Sequence, residues 1–183
     1  REMRDEKNLF IGTFHSLGAR ILKAEAKRLA RTANYAIFDD EDSLNLIKKI
    51  TKEMNLNKEQ YNPLMFQAVF SKVKNQLTDE PQGKTHNLVF NKYETALEEN
   101  NAFDFDDLIQ KVVVIFQNFP EILKKYQDQW QHILVDEFQD VNTSQYEMVT
   151  LLAKNSKSLS VVGDDFQAIY GFRMADYKIF LNF

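Results

Sequence analysis

Apolar residues recur at helical spacing through most of this chain. After Thr13, which can cap a helix, Leu17, Ile21, Leu22 and Leu29 fall on one face. Acids at residues 39–42 open a second helix with the stripe Leu44, Ile47, Ile50 and Met54; Lys48, Lys49 and Lys52 follow, matching the helix dipole. Asn62 and Pro63 supply the cap and first-turn proline of a third, with Phe66, Val69, Phe70, Val73 and Leu77 inward. Residues 88–99 read as another. Asp104 then starts a helix carrying Phe105, Leu108, Val112, Phe116 and Phe119 on its inner face. Pro120 breaks it, residues 121–130 form one more, and residues 142–154 and 176–183 also read as helices.

Three apolar stretches break that period. Residues 8–13 form a strand candidate with Gly12 at its exit. His132-Ile-Leu-Val-Asp-Glu-Phe-Gln-Asp140 reads as a short buried strand, His132–Val135, ended by charge. About 25 residues on, Leu159-Ser-Val-Val-Gly-Asp-Asp-Phe-Gln-Ala-Ile-Tyr-Gly-Phe-Arg173 repeats the theme, an apolar strand running into Gly-Asp. Strand, helix and strand of this length predict a right-handed parallel crossover, so both carboxyl ends open on one rim. The expected fold is therefore helix-rich α/β. Residues 1–31 and 130–183 form a partial parallel sheet layer, and residues 32–129 a large all-helical insertion.

Five glycines and three prolines leave few breakers, consistent with long helices. The net charge of −4 excludes an overall basic field, although residues 1–31 hold eight basic and four acidic side chains. The basic face Arg20, Lys23, Lys27, Arg28 and Arg31 is either a solvated helix surface or a local nucleic-acid contact. Zero cysteines exclude a disulfide scaffold and fit a reducing cytoplasm. No apolar run approaches the ~18 residues that span a bilayer, so no membrane partner is expected.

Chemistry concentrates at the two strand tips. Asp136 and Glu137 stand side by side where ligands of open parallel sheets bind. One carboxylate there suits a nucleotide-bound Mg²⁺, which keeps most of its waters. The other can orient or deprotonate an attacking water. Beyond the second strand, Gln167 can hydrogen-bond, while Tyr170, Phe172 and Arg173 can stack on bases or reach phosphate. Two features are discounted. Gly83-Lys84-Thr85 imitates a phosphate-binding loop, but Thr78 stands where that loop needs glycine, and a helix precedes it. Asp104, Asp106 and Asp107 read as acids at a helix N-terminus, not as a metal site.

ILVDEFQD and VVGDDFQAIYGFR resemble the Walker B motif and the motif after it in superfamily 1 DNA helicases of the UvrD/Rep/PcrA kind. Residues 12–22, containing TFHSL, resemble that family's DNA-contacting motif, and the DFDDL run resembles a segment leading back to the Walker B strand, with the character of a structural hinge. The resemblance implies a RecA-like sheet of the P-loop NTPase class, with ATP and Mg²⁺ as cofactors. Asp136 would serve the metal and Glu137 the hydrolytic water. Gln139 and Asp140 would link hydrolysis to domain movement, beside Asp164, and Gln167 would sense the γ-phosphate. Thr13, Phe14, His15, Tyr170, Phe172 and Arg173 would face DNA. Single-stranded DNA and duplex/single-strand junctions are the implied partners, in a bacterial cytoplasm at the nucleoid. The pattern departs from the family at Phe166, Ala168 and Met174, where an acid, serine and glycine are usual. No glycine-rich phosphate loop stands within these 183 residues, so this segment alone is expected to hydrolyse essentially no ATP. Two other readings stay open: the motor segment of an AddA/RecB-like helicase–nuclease, or a non-catalytic DNA-binding module.

Overall fold

Side-chain caps set where the helices begin. In the computed structural model, which describes residues 9–57, 59–76, 78 and 80–164, α1 (Phe14–Glu25) opens with the Thr13 hydroxyl accepting from the Ser16 amide at 3.2 Å. Asp39 and Asp42 form a reciprocal capping box at the start of α2 (Asp40–Glu53). Asn62 caps α3 (Pro63–Asn75), with Pro63 in the first turn. α4 (Lys84–Glu99) follows Gly83, whose φ of +97° suits glycine alone. Lys84 and Thr85 thus lie in a helix start with no strand before it, as their discounting required. α5 (Asp107–Asn118) and α6 (Pro120–Gln129) follow, and α7 (Thr143–Ala153) is capped by a second box of Asn142 and Gln145.

Among the described residues four short strands make two parallel pairs. β1 (Ala36–Phe38) runs beside β2 (Ala102–Asp104), with Ala36 opposite Ala102. β3 (His132–Val135) runs beside β4 (Ser158–Val161), with His132 opposite Ser158 and Val135 opposite Val161. The chain is therefore helix-rich α/β, and α7 supplies the parallel connection that the β3–β4 pattern predicts.

Three expectations are corrected. Residues 32–129 are not wholly helical, because β1 and β2 lie among them. Each is three residues long, too short to display a period, and their pairing joins residues far apart in sequence. Residues 9–13 form no strand; Leu9 and Ile11 are exposed, and the described residues offer them no strand neighbour to satisfy their amides. β3 is not buried throughout: Leu134 is 70% exposed and only Val135 is buried. A pleated strand sends alternate side chains to opposite faces, and among the described residues just one face of β3 packs against apolar groups. Leu77 and the tail 176–183 lie outside the described residues.

Apolar packing gathers into three groups. Ile21 and Leu22 of α1 share a core with Leu108, Val112 and Phe116 of α5, Ile122 and Tyr126 of α6, and Met148 and Leu152 of α7. Gly18 makes this possible, because a Cβ there would lie 1.9 Å from the Leu108 carbonyl oxygen. Ile47, Ile50, Phe66, Phe70, Val89, Tyr93 and Leu97 form a second core among α2, α3 and α4. Val135, Phe138, Val141 and Val149 form a small third group beneath the β3 tip. Among the described residues no helix is long and apolar enough to cross a membrane.

A buried ionic cluster joins α3, α4, β2 and α5. The Lys74 ammonium, on a side chain only 2% exposed, lies 2.6 Å from Asp104, 2.8 Å from Asp107 and 2.8 Å from Glu94. Lys111 reaches Glu94 at 2.6 Å, and the Tyr93 hydroxyl donates to Asp104 at 2.9 Å. Burial and the nearby Asp104 push Asp107 up to about 6. Burial also pulls Glu94 upward, yet Lys74 and Lys111 outweigh it and hold that carboxyl at about 2. Burial works against the charged form of Lys74, but Asp104, Asp107 and Glu94 raise its pKa well above the usual lysine value. The Asp104 and Asp107 carboxylates also accept each other's backbone N–H groups, the amide-satisfying role predicted for acids here.

Replacing Lys74 by Met strands those carboxylates with Lys111 as their main counter-charge. It should destabilise the fold by about 3–5 kcal/mol in denaturant titration. A loss below about 1 kcal/mol, the range of a surface pair, would show the cluster to be dispensable.

Candidate nucleotide and nucleic-acid site

At the end of β3 the chain turns sharply. The Asp136 side chain accepts the Glu137 N–H at 3.0 Å, and Glu137 adopts φ +52° and ψ +42°, a left-handed conformation that costs a non-glycine residue about 1 kcal/mol. A single 3-10 turn, Phe138–Asp140, carries the backbone on to α7. Phe138 is buried against Tyr146, and its N–H donates to the Val162 carbonyl at 2.9 Å. The Val162 N–H in turn donates to the Val135 carbonyl at 2.8 Å, extending the pairing past both strands.

Gln139, only 2% exposed, joins the two tips. Its Nε2 donates to Glu137 Oε2 at 2.7 Å, and its Oε1 accepts the Asp164 N–H at 3.0 Å. The exposed pair Asp136 and Glu137 therefore shares one rim with Asp164, and the parallel register puts that rim at the carboxyl ends of both strands. Asp140, half-buried, closes the turn. Among the described residues no group of three or more His, Asp or Glu side chains converges as a metal cage. The exposed Asp136 carboxylate matches the smaller demand of Mg²⁺, which takes one or two carboxylates and retains waters. Such a rim can position a phosphate-bound cation and a water molecule.

The start of α1 contributes a second group. Thr13 is exposed but its hydroxyl is engaged as the helix cap. Phe14 packs against both the α1–α5 core and the group beneath the β3 tip, so it anchors the helix beside the rim. His15 stacks on Phe105, with ring centroids 3.9 Å apart and planes at 21°. Burial lowers the His15 pKa, leaving the ring neutral at neutral pH.

Phe105 corrects an expectation. The helical stripe predicts it inward; it is 51% exposed, in the link between β2 and α5. Asp104 and Asp107 turn toward Lys74, and Asp106 accepts from Asn75 Nδ2 at 2.8 Å, leaving Phe105 outside with His15. An exposed aromatic ring over an imidazole can stack on a base. The signal was an aromatic set among acids, masked by its spacing three residues before Leu108.

The expected basic face divides, because α1 ends at Glu25 and Lys27 and Arg28 lie in the 3-10 turn Ala26–Leu29 that follows it. Lys23, Lys27 and Arg28 are exposed, but Arg31 is buried, donating from Nε to the Ala102 carbonyl at 3.2 Å and pairing with Glu98 at 3.5 Å. Arg20 lies over the Phe10 ring, 5.5 Å from its centroid. Gln167, Tyr170, Phe172 and Arg173 lie outside the described residues, as do Phe166, Ala168 and Met174.

Since the Phe105 ring covers one face of His15, Phe105→Ala should raise the His15 pKa toward its ordinary value of 6.5. A proton NMR titration of the imidazole resonances checks this; an unmoved midpoint would place the burying groups elsewhere.

The description UvrD/REP helicase N-terminal domain belongs to the protein family that matches residues 2–183. The chain is 40% identical over 184 residues to ATP-dependent DNA helicase PcrA of Staphylococcus epidermidis, covering 96% of this chain and 25% of that protein. It is 37% identical over 201 residues to ATP-dependent DNA helicase PcrA of Staphylococcus aureus, covering 100% and 28%. The chain thus spans about a quarter of the length of the curated relatives it matches.

Proposed function

The chain belongs to the UvrD/REP helicase N-terminal domain family, and from that premise we propose that it is part of the first motor domain of an ATP-dependent DNA helicase. The intact protein couples ATP hydrolysis to movement on single-stranded DNA and to opening duplex at a junction. It acts on the bacterial nucleoid in the cytoplasm. Residues 1–31 and 130–183 contribute to a RecA-like sheet layer and residues 32–129 to the insertion, whose last helices, α5 and α6, share a core with α1 and α7.

The observation carrying this reading is the Gln139 side chain bonded to both strand tips. It holds the Glu137 carboxylate and the Asp164 backbone at one edge, an arrangement suited to phosphoryl transfer, where catalysis is mostly positioning and electrostatics. Asp136 would hold Mg²⁺, directly or through water, and the ion would supply positive charge to offset that of the phosphates. Glu137 accepts a proton from the attacking water, and its bond from Gln139 fixes the carboxylate's direction. Gln167 contacts the γ-phosphate, and Gln139, Asp140 and Asp164 pass its presence or absence to the surrounding loops. Closure of two motor domains around ATP shifts the grip on stacked bases. Thr13, Phe14, His15 and Phe105 form one part of the DNA-facing surface, with Phe14 acting from beneath; Tyr170, Phe172 and Arg173 form the other.

In the intact protein, Glu137→Gln should lower DNA-stimulated ATP turnover a hundredfold or more while ATP and DNA binding persist. Unchanged turnover would remove Glu137 as the base. Phe172→Ala should weaken single-strand affinity roughly tenfold and reduce base pairs opened per ATP consumed. Wild-type values of both would exclude stacking by that ring.

A further inference from the structure

The C-terminal turn of α3 carries two adjacent polar residues with different partners. Lys74 belongs to the ionic cluster described above. Asn75, half-buried, accepts from Asn142 Nδ2 at 2.6 Å through its own Oδ1. Its Nδ2 donates to Asp106 at 2.8 Å and to the Ser71 carbonyl at 2.9 Å. Asn142 is buried, caps α7, and follows the Phe138–Asp140 turn by two residues. Asp106 is next in the chain after Phe105, whose ring stacks on His15. A path thus leads from the acidic rim through Asn142, Asn75 and Asp106 to the exposed Phe105 ring and the half-buried His15 beside it.

We infer that Asn75 is a positioning residue that couples the nucleotide rim to the DNA-facing Phe105–His15 stack. The inference rests on the reading under Proposed function. The chemistry favours an amide here: one side chain must accept from an Asn142 amide while donating to an Asp106 carboxylate, and asparagine does both. Displacement of the Phe138–Asp140 turn moves the α7 cap, and Asn75 carries that displacement to the link bearing Phe105. The reverse direction follows, since coupling between two binding sites is reciprocal.

The test uses the intact protein and oligothymidylate as the DNA, measuring ATP turnover with and without it. Asn75→Ala removes the bonds to Asn142 and Asp106 together with those to Ser71. It should cut the stimulation ratio at least about fivefold while DNA-free turnover stays within about twofold of wild type. Asn75→Asp should also lose stimulation, because it sets two carboxylates together. The double variant Asn75→Asp with Asp106→Asn exchanges the partners: Asp at 75 accepts from both amides, and stimulation should recover. Should Asn75→Ala not fold, the Asn75→Asp variant and its double decide. An unchanged ratio in the single variants, a parallel fall of turnover with and without DNA, or no recovery in the double overturns the coupling role. A wild-type protein whose turnover ignores DNA would instead overturn the underlying helicase reading.

Discussion

A single ammonium group closes the seam between the insertion helices and the helices beneath the rim. Lys74 leaves α3 into a space bounded by Glu94, Asp104 and Asp107, and those acids come from α4, β2 and α5. Three carboxylates crowded this closely repel one another in a low-dielectric interior. Only buried cations make the arrangement tolerable, and Lys111 provides the second. An ion cluster of this kind adds less net stability than an apolar core of equal volume. What it does define is direction: the two acids flanking the β2–α5 link, Asp104 and Asp107, point inward, and the phenyl ring of Phe105 in the link points out.

Neutral chemistry solves a similar problem at the strand tips. The position of Gln139 must face a carboxylate on one side and a peptide N–H on the other. A glutamate there would repel Glu137, and a lysine has no lone pair to accept from Asp164. The amide alone combines donor and acceptor at that length. Burial of Gln139 keeps water from competing for either bond. Strain in Glu137, held in the left-handed region, fits the same picture, because a backbone kept there needs its surroundings to over-determine it.

Much of this was legible along the chain. The helices show through period and caps: Thr13, Asp39, Asn62 and Asn142 each hold the first turn of the helix they precede. The β3–α7–β4 unit shows because apolar runs end in Gly or charge and a capped helix lies between. The shared rim of Asp136 and Asp164 follows from parallel pairing. β1 and β2 are hidden, being three residues each and separated in sequence by the helices of the second core. Phe105 was misassigned because periodicity cannot see that Asp104 and Asp107 both turn toward a lysine thirty or more residues earlier in the chain. Arg31 looked like one more basic surface residue, yet its Nε satisfies a β2 carbonyl. Local pattern reports which faces are apolar; it does not report long-range polar partners.

Among the described residues the two sheets are two-stranded and short. A parallel pair of three- or four-residue strands buries little and is marginal in water. Their positions are therefore set by the helices: β3 and β4 by α7 and the apolar group under Phe138, β1 and β2 by the cores on either side of Ala102 and Phe103. It follows that the rim is only as rigid as the seat of α7. That seat has an apolar side, Met148 and Leu152 against α5 and α6, and a polar end, Asn142 held by α3. Apolar packing resists separation but has little direction, whereas an amide pair fixes one orientation. The polar end is accordingly where a small rotation of α7 is either permitted or refused, and it lies between the acidic turn and the β2–α5 link.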